Sequence, residues 1–343
     1  MEQTAAPIAA SDDDVIRVED LQLSFYTPLG VVRALNGVSF NIPRGKVLGV
    51  VGESGCGKSQ TGLAIMKLTP SVGRYEGGRV LFRENAAEPA VDLLTLEKNG
   101  PEMRKIRGNN IGMIFQEPMT SLNPCFTVGH QIEEAIQLHQ TQDKGEAARR
   151  AIDILQKVGM PNPQRIYSSF PHQLSGGMRQ RAMIAMALSC NPTLLIADEP
   201  TTALDVTTEA QILDLMRNLQ TEIGTSIMFI THNLGVVAQM CDEVVVMYLG
   251  RIVERATVDE IFYNPKHPYT ILLLRSIPRL GLKRGGTLES IKGTVPDPYS
   301  TVNGCPFHAR CPSAMPGICD VVMPEEITVA GAPGHTVRCH LYT

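Results

Sequence analysis

A lysine and a serine close the stretch GESGCGKS (Gly52–Ser59), whose spacing is G-x-x-x-x-G-K-[ST]. Glycines let a backbone curl until its N–H groups face phosphate oxygens, and a helix that follows adds its positive end. Gly52, Ser54, Gly55, Cys56, Gly57 and Gln60 are therefore candidates to surround a phosphate chain. Lys58 offers a compact cation for β- and γ-phosphates, and Ser59 a hydroxyl for Mg²⁺. Further on, LLIADEP delivers Asp198 and Glu199 at the end of an apolar strand, where α/β sheets put ligands. Asp198 suits Mg²⁺ through its water shell, and Glu199 can polarise an attacking water. Alone, the first motif could be a glycine-rich turn and the second a solvated loop start. Together, with a strand before the loop and a helix after it, they point to a nucleoside triphosphate and its hydrolysis.

A different chemistry is suggested near the end of the chain, where Cys305, Cys311, Cys319 and Cys339 are spaced C-x5-C-x7-C-x19-C. Zinc ribbons prefer ligand pairs only a few residues apart, so the match to zinc is poor. A disulfide is disfavoured in a reducing compartment. Four thiolates can hold a [4Fe–4S] cluster, whose ligand spacings vary widely, and free thiols are the remaining reading. Pro306 and Pro312 follow two of the cysteines and would stiffen ligand loops. A loop-rich segment with few large apolar residues needs a cross-link to fold, which favours a structural metal group over free thiols. His308, His335 and His340 read as surface residues, any one of which could replace a ligand. Of the other cysteines, Cys56 belongs to the phosphate loop, Cys190 and Cys241 read as small apolar packing residues, and Cys125 lies in a loop.

These groups need a scaffold. VIRVEDLQLSFY (Val15–Tyr26) alternates like an antiparallel strand with one face on a core, and VLGVV is apolar enough to be buried on both faces. SQTGLAIMKL, Gly145–Val158 and TEAQILDLMRNLQTEI read as helices, TLLIAD and TSIMFIT as buried strands, and EVVVMYLGRIVERA as a hairpin turning at Gly250. Buried strands alternating with helices predict an α/β sheet, flanked by an antiparallel side sheet. After about Tyr263 come a Pro-rich break, the short helix ILLLRSI, and a Gly/Pro-rich connector from Pro278 to Asn303. The 343 residues allow one large core and a smaller appended unit. A net charge of −4 without a basic block speaks against nucleic acid as a partner. The start, MEQTAAPIAASDDDV, has no secretory pattern, and no run is apolar enough to span a bilayer, so a cytosolic location is expected.

LSGGMRQRAMIAMAL (Leu174–Leu188) narrows the family, with Ser175 lying 23 residues before Asp198. Here the chain resembles the ATP-binding subunits of ABC transporters, whose second anion-binding nest begins LSGG. The resemblance covers about Val15 to Tyr263. It implies that Ser175, Gly176 and Gly177 close on the γ-phosphate held by a partner subunit, and that Asp205 of ALD (Ala203–Asp205) contacts that partner. It also implies that Gln116 in GMIFQEP touches Mg²⁺ and water, that His232 in FITHN reaches the γ-phosphate, and that Phe25 or Tyr26 stacks on adenine. Met178 departs from the glutamine many members have, just beyond the nest.

The tail sharpens this. HPYTILLLRSIP, IKGTVPDP and GCPFHARCP…C…VRCH resemble the C-terminal extension of dipeptide/oligopeptide importer ATPases, over His267–His340. That subfamily implies a [4Fe–4S] cluster on Cys305, Cys311, Cys319 and Cys339, with zinc as the alternative. The expected architecture is α/β: a P-loop NTPase of ABC type with an antiparallel β subdomain and a helical subdomain, plus a small C-terminal metal-binding extension. The segments are a 1–14 lead-in, a 15–263 ATPase domain with its helical part at about 117–190, and a 264–343 extension. The implied activity is ATP hydrolysis that powers peptide import at the cytoplasmic face of the membrane. Implied partners are a homologous second ATP-binding subunit in a heterodimer, two membrane permease subunits and an extracytoplasmic substrate-binding protein, with no nucleic acid. Other readings are a soluble ABC ATPase of translation or DNA repair, an importer of nickel or another small solute, and a regulatory metal protein with a vestigial ATPase.

Overall fold

The computed structural model describes residues 13–116, 121–202, 204–276 and 291–343. Most of the expected lead-in, Ala203 and the start of the connector at Pro278 lie outside the described residues.

Two sheets face each other across a shared core. Among the described residues the first has the order β2-β1-β4-β5, from Gly30–Pro43, Asp14–Thr27, Gly73–Phe82 and Val91–Asp92. Alternation in β1 turns Ile16, Val18, Leu21 and Leu23 inward, where they meet Leu48, Val50, Ile196 and Ile230 of the second sheet. That larger sheet runs β11-β12-β10-β9-β3-β8-β7-β6. Its inner strands are β3 (Val47–Val51), β6 (Ile111–Ile114), β7 (Leu194–Asp198), β8 (Ser226–Ile230) and β9 (Glu243–Tyr248). They pair in parallel, and β3, β6, β7 and β8 are buried at every position, as unbroken apolar runs in a covered sheet should be. Antiparallel strands β10 (Arg251–Thr257), β11 (Glu326–Thr328) and β12 (Thr336–Arg338) extend one edge.

The helices are α1 (Lys58–Ile65), α2 (Pro101–Ile106), α3 (Val128–His139), α4 (Lys144–Lys157), α5 (Pro163–Tyr167), α6 (Gly176–Leu188), α7 (Val206–Ile223), α8 (Leu234–Met240), α9 (Val258–Tyr263) and α10 (Pro268–Arg275). Between β6 and β7, α3 to α6 gather Ile132, Ile136, Leu155, Met183 and Ile184 into a core that continues into α7. Their starts are written in the sequence: Asp143 caps α4 by accepting from Gly145 N–H at 2.7 Å and Glu146 N–H at 3.1 Å. Among the described residues no helix is long and apolar enough to cross a membrane.

The C-terminal segment departs from expectation in three respects. It does not depend on a cross-link alone, because β12 joins β10 through Glu254↔Val337 and Phe307 and Val337 are fully buried. His335 is no surface residue: it is 1% exposed, with Nε2 2.8 Å from Glu254 Oε1. Glu254 is itself buried and also accepts the N–H groups of Lys266 and His267, so it needs the histidine as a polar partner. Lastly, among the described residues no three His, Cys, Asp or Glu side chains are arranged around a single metal ion, so the metal-binding part of the expectation finds no such donor group.

Candidate functional site

β3 ends at Val51 and the chain turns through the glycine-rich loop into α1. Only glycine suits two of its positions. At Gly52 φ is 151° and a Cβ would collide with Met247 O; at Gly57 φ is 103° and a Cβ would lie 2.7 Å from Ala34 O. Lys58, 5% exposed, folds back and donates Nζ to Gly52 O at 2.8 Å and to Glu53 O at 3.1 Å. Cys56 points the other way, into the core, and burial pushes its thiol pKa up.

The acidic pair sits beside this loop because β7 and β3 flank β8 and end at the same level. Ser59 Oγ donates to Asp198 Oδ1 at 2.9 Å. Burial raises the Asp198 pKa, and the Ser59 hydroxyl does not offset it. Such a desolvated carboxylate, beside a hydroxyl, fits a divalent cation. Glu199 adopts φ 47°, the left-handed region uncommon for a residue with a Cβ, which turns its side chain off the strand end. Its Oε1 is 3.1 Å from His232 Nδ1, and its Oε2 accepts from Thr202 Oγ1 at 2.9 Å and Gln116 Nε2 at 3.1 Å. Burial pushes the Glu199 pKa up, but hydrogen bonds from His232 and Thr202 and the nearby positive charges outweigh it and hold it below the ordinary value. The carboxylate is kept ionised, as a group that polarises water requires.

Phe25, Ser54, Gly55, Gly57, Lys58, Ser59, Gln60, Gln116 and Glu199 line one cleft of about 540 Å³. Phe25, not Tyr26, faces this space; successive strand residues point to opposite sides, and Tyr26 hydrogen-bonds Glu76 with Arg74 over its ring. Ser175, Gly176, Gly177 and Asp205 do not line the cleft. They start two neighbouring helices instead: Ser175 caps α6, Asp205 caps α7 by accepting from Thr208 N–H at 2.9 Å, and a Cβ at Gly177 would sit 2.8 Å from Thr208.

At the tail, Cys305, Cys319 and Cys339 are buried and Cys311 half-buried. Cys305 N–H donates to Cys319 O at 2.8 Å. Burial, then the charges of the other three cysteines, pushes the Cys305 thiol up to about 11, and Cys311 and Cys339 are also raised by burial and by neighbouring cysteines. The four side chains thus lie within electrostatic reach of one another. Several lining residues carried no local signal: Arg33 and Asn36 from β2, the β9–β10 turn at Leu249–Arg251, and a stretch of the tail from Asp297 to Pro306. Thr202 was missed too, although it sits three residues after Glu199.

Comparison with known proteins gives two family matches: the ABC transporter family over residues 35–202, and the C-terminal region of oligopeptide/dipeptide transporters over residues 253–319. A probable peptide ABC transporter ATP-binding protein of Sinorhizobium fredii is 49% identical over 95% of each chain. The dipeptide transport ATP-binding protein DppD of Bacillus subtilis is 49% identical over 96% of this chain and 95% of its own. The oligopeptide transport ATP-binding protein OppD of the same species is 52% identical over 88% of this chain and 82% of its own. Among solved structures, the ATP-binding cassette MJ0796, a post-hydrolysis dimer with ADP and Pi, superposes with a TM-score of 0.62 at 26% identity, over 71% of this chain and 98% of that one.

Proposed function

The chain belongs to the ATP-binding subunits of ABC transporters of the oligopeptide/dipeptide type, and from that premise we propose that it hydrolyses ATP to power peptide import across a membrane. The observation that carries the mechanism is the meeting of Lys58, Ser59 and Glu199 on one cleft, with Asp198 accepting from Ser59 Oγ at 2.9 Å. Phe25 stacks on adenine at one end. Lys58 leaves the carbonyls of Gly52 and Glu53 and turns to the β- and γ-phosphates. Ser59 and Asp198, with Gln116, would hold Mg²⁺, whose charge when bound neutralises phosphate oxygens. Glu199 orients and polarises the attacking water, and His232 holds Glu199 ionised while reaching towards the γ-phosphate.

Ser175, Gly176, Gly177 and Asp205 are assigned to the partner's site, because they start helices away from this chain's own cleft. Head-to-tail association with a homologous second subunit, as a heterodimer, would complete both sites. We place the assembly on the cytoplasmic face of the membrane, against two permease subunits served by an extracytoplasmic substrate-binding protein. The segments assigned are 15–263 for the ATPase, with its helical part at about 117–190, and 264–343 for the extension. In the extension, Cys305, Cys311, Cys319 and Cys339 suit a [4Fe–4S] cluster by donor chemistry. Four neighbouring thiols in a desolvated pocket, once deprotonated, gain from a positively charged core. The catalytic assignment is tested with Glu199→Gln: Mg·ATP binding should persist while turnover is lost, and undiminished turnover would remove Glu199 from its role.

A further inference from the structure

Glu53 occupies the second position of the glycine-rich loop, yet its side chain does not line the cleft. It is gripped by the C-terminal extension. Arg310, one residue before Cys311, donates Nη1 to Glu53 Oε2 at 2.6 Å and Nη2 to Oε1 at 2.9 Å, a bidentate pair. The Arg310 side chain is 5% exposed and that of Glu53 27%, so the pair is partly shielded from the solvent that weakens surface ion pairs. From α10, the Tyr269 hydroxyl accepts the Glu53 N–H at 2.8 Å. Tyr248, Tyr269 and Phe307 form an aromatic wedge beneath, with centroids 4.8 to 5.3 Å apart, and Arg310 also donates to Tyr248 Oη at 3.2 Å. A second contact lies on the cleft itself, where Pro298, Thr301, Val302 and Pro306 form part of its lining. The ring of Tyr299 holds that stretch against the β1–β2 turn, 3.1 Å from the place a Cβ would take on Gly30.

We infer that the C-terminal extension is a working part of the nucleotide site: Arg310 and Tyr269 position the phosphate loop through Glu53, and the stretch from Pro298 to Pro306 completes the cleft. The inference rests on the nucleotide reading of that cleft. Its physical content is that Glu53 lies inside the glycine-rich loop, five residues before Lys58, so holding Glu53 fixes the backbone that must curl around phosphates. A loop pinned at the Glu53 N–H and carboxylate presents Lys58 and the following amides in one geometry, and ATP then loses less free energy to ordering the loop. Arg310 is thus a positioning residue; it acts through Glu53.

The test is equilibrium binding of Mg·ATP to the full chain, purified without oxygen, alongside its melting temperature. Arg310→Gln and Glu53→Gln should each weaken binding by ~3- to 30-fold, and the double variant should be no weaker than the worse single one, as for two members of one contact. Arg310→Lys, which keeps the charge and loses the fork, should fall between. Tyr269→Phe removes a single oxygen and serves if the Arg310 variants fail to fold. Unchanged ATP affinity in Glu53→Gln and Tyr269→Phe, with or without a lowered melting temperature, overturns the inference, as do additive effects in the double variant. Lys58→Ala separates the two levels. If it binds ATP as the parent does, the nucleotide reading itself fails; if it loses binding while Glu53→Gln and Tyr269→Phe keep it, only the role of the extension fails.

Discussion

Three donors meet the single carboxylate of Glu199, from His232, Thr202 and Gln116. A carboxylate only accepts, so His232 Nδ1 carries the hydrogen between them. This hydrogen bond is among the forces that hold the Glu199 pKa below its ordinary value against burial, which alone would raise it. The sign of the consequence follows. A group that acts as a base loses activity as pH falls through its pKa, so a depressed pKa extends activity to lower pH. His232→Ala removes a stabiliser of the anion, and the Glu199 pKa should rise. The acid limb of the residual ATPase profile should therefore move to higher pH, with the maximal rate falling by ~10²-fold or more. A pH–rate profile checks this; an acid limb left in place would show that His232 does not tune Glu199.

At the level of elements, what was legible in the sequence was what is local. VLGVV and LLIAD are apolar enough to announce buried strands, and the glycine-rich loop with its lysine is contiguous, so β3, α1 and β7 could be placed from their own residues. The side-sheet strand β4 (GRYEGGRVLF) and the short β6 (IGMI) carry no comparable signal, since glycine is poor in strands and four residues make no pattern. Arg310 lies 257 residues from Glu53, and nothing near either residue announces the other. His335 looked like a tail residue on the surface until β12 docked on β10 and buried it against Glu254. His267 likewise caps α10 from within the core, beside Phe307, and burial lowers it to about 4, so it is neutral at physiological pH. The cysteine segment was expected to fold around a metal group, yet what the structure shows holding it is the main sheet, through β12 on β10. Protein purified without oxygen should contain about four irons and four sulfides per chain. Zinc alone, or no metal, would remove the cluster and leave the nucleotide cleft as described.

For the whole molecule, the proposed function divides one chain between two sites. The cleft gathers the phosphate loop, Glu199 and part of the extension, whereas the LSGG helix start and Asp205 do not line it and lie next to each other. On that proposal the chain completes its chemistry in an assembly, and the relatives that share its length are named for peptide transport. The most direct measurement is uptake of a labelled di- or oligopeptide by cells that lack this chain, complemented with the parent sequence or with Glu199→Gln. The account predicts that the parent restores uptake and that Glu199→Gln, although present and able to bind ATP, does not. Equal restoration by both, or unaltered peptide uptake when the chain is missing, would contradict it.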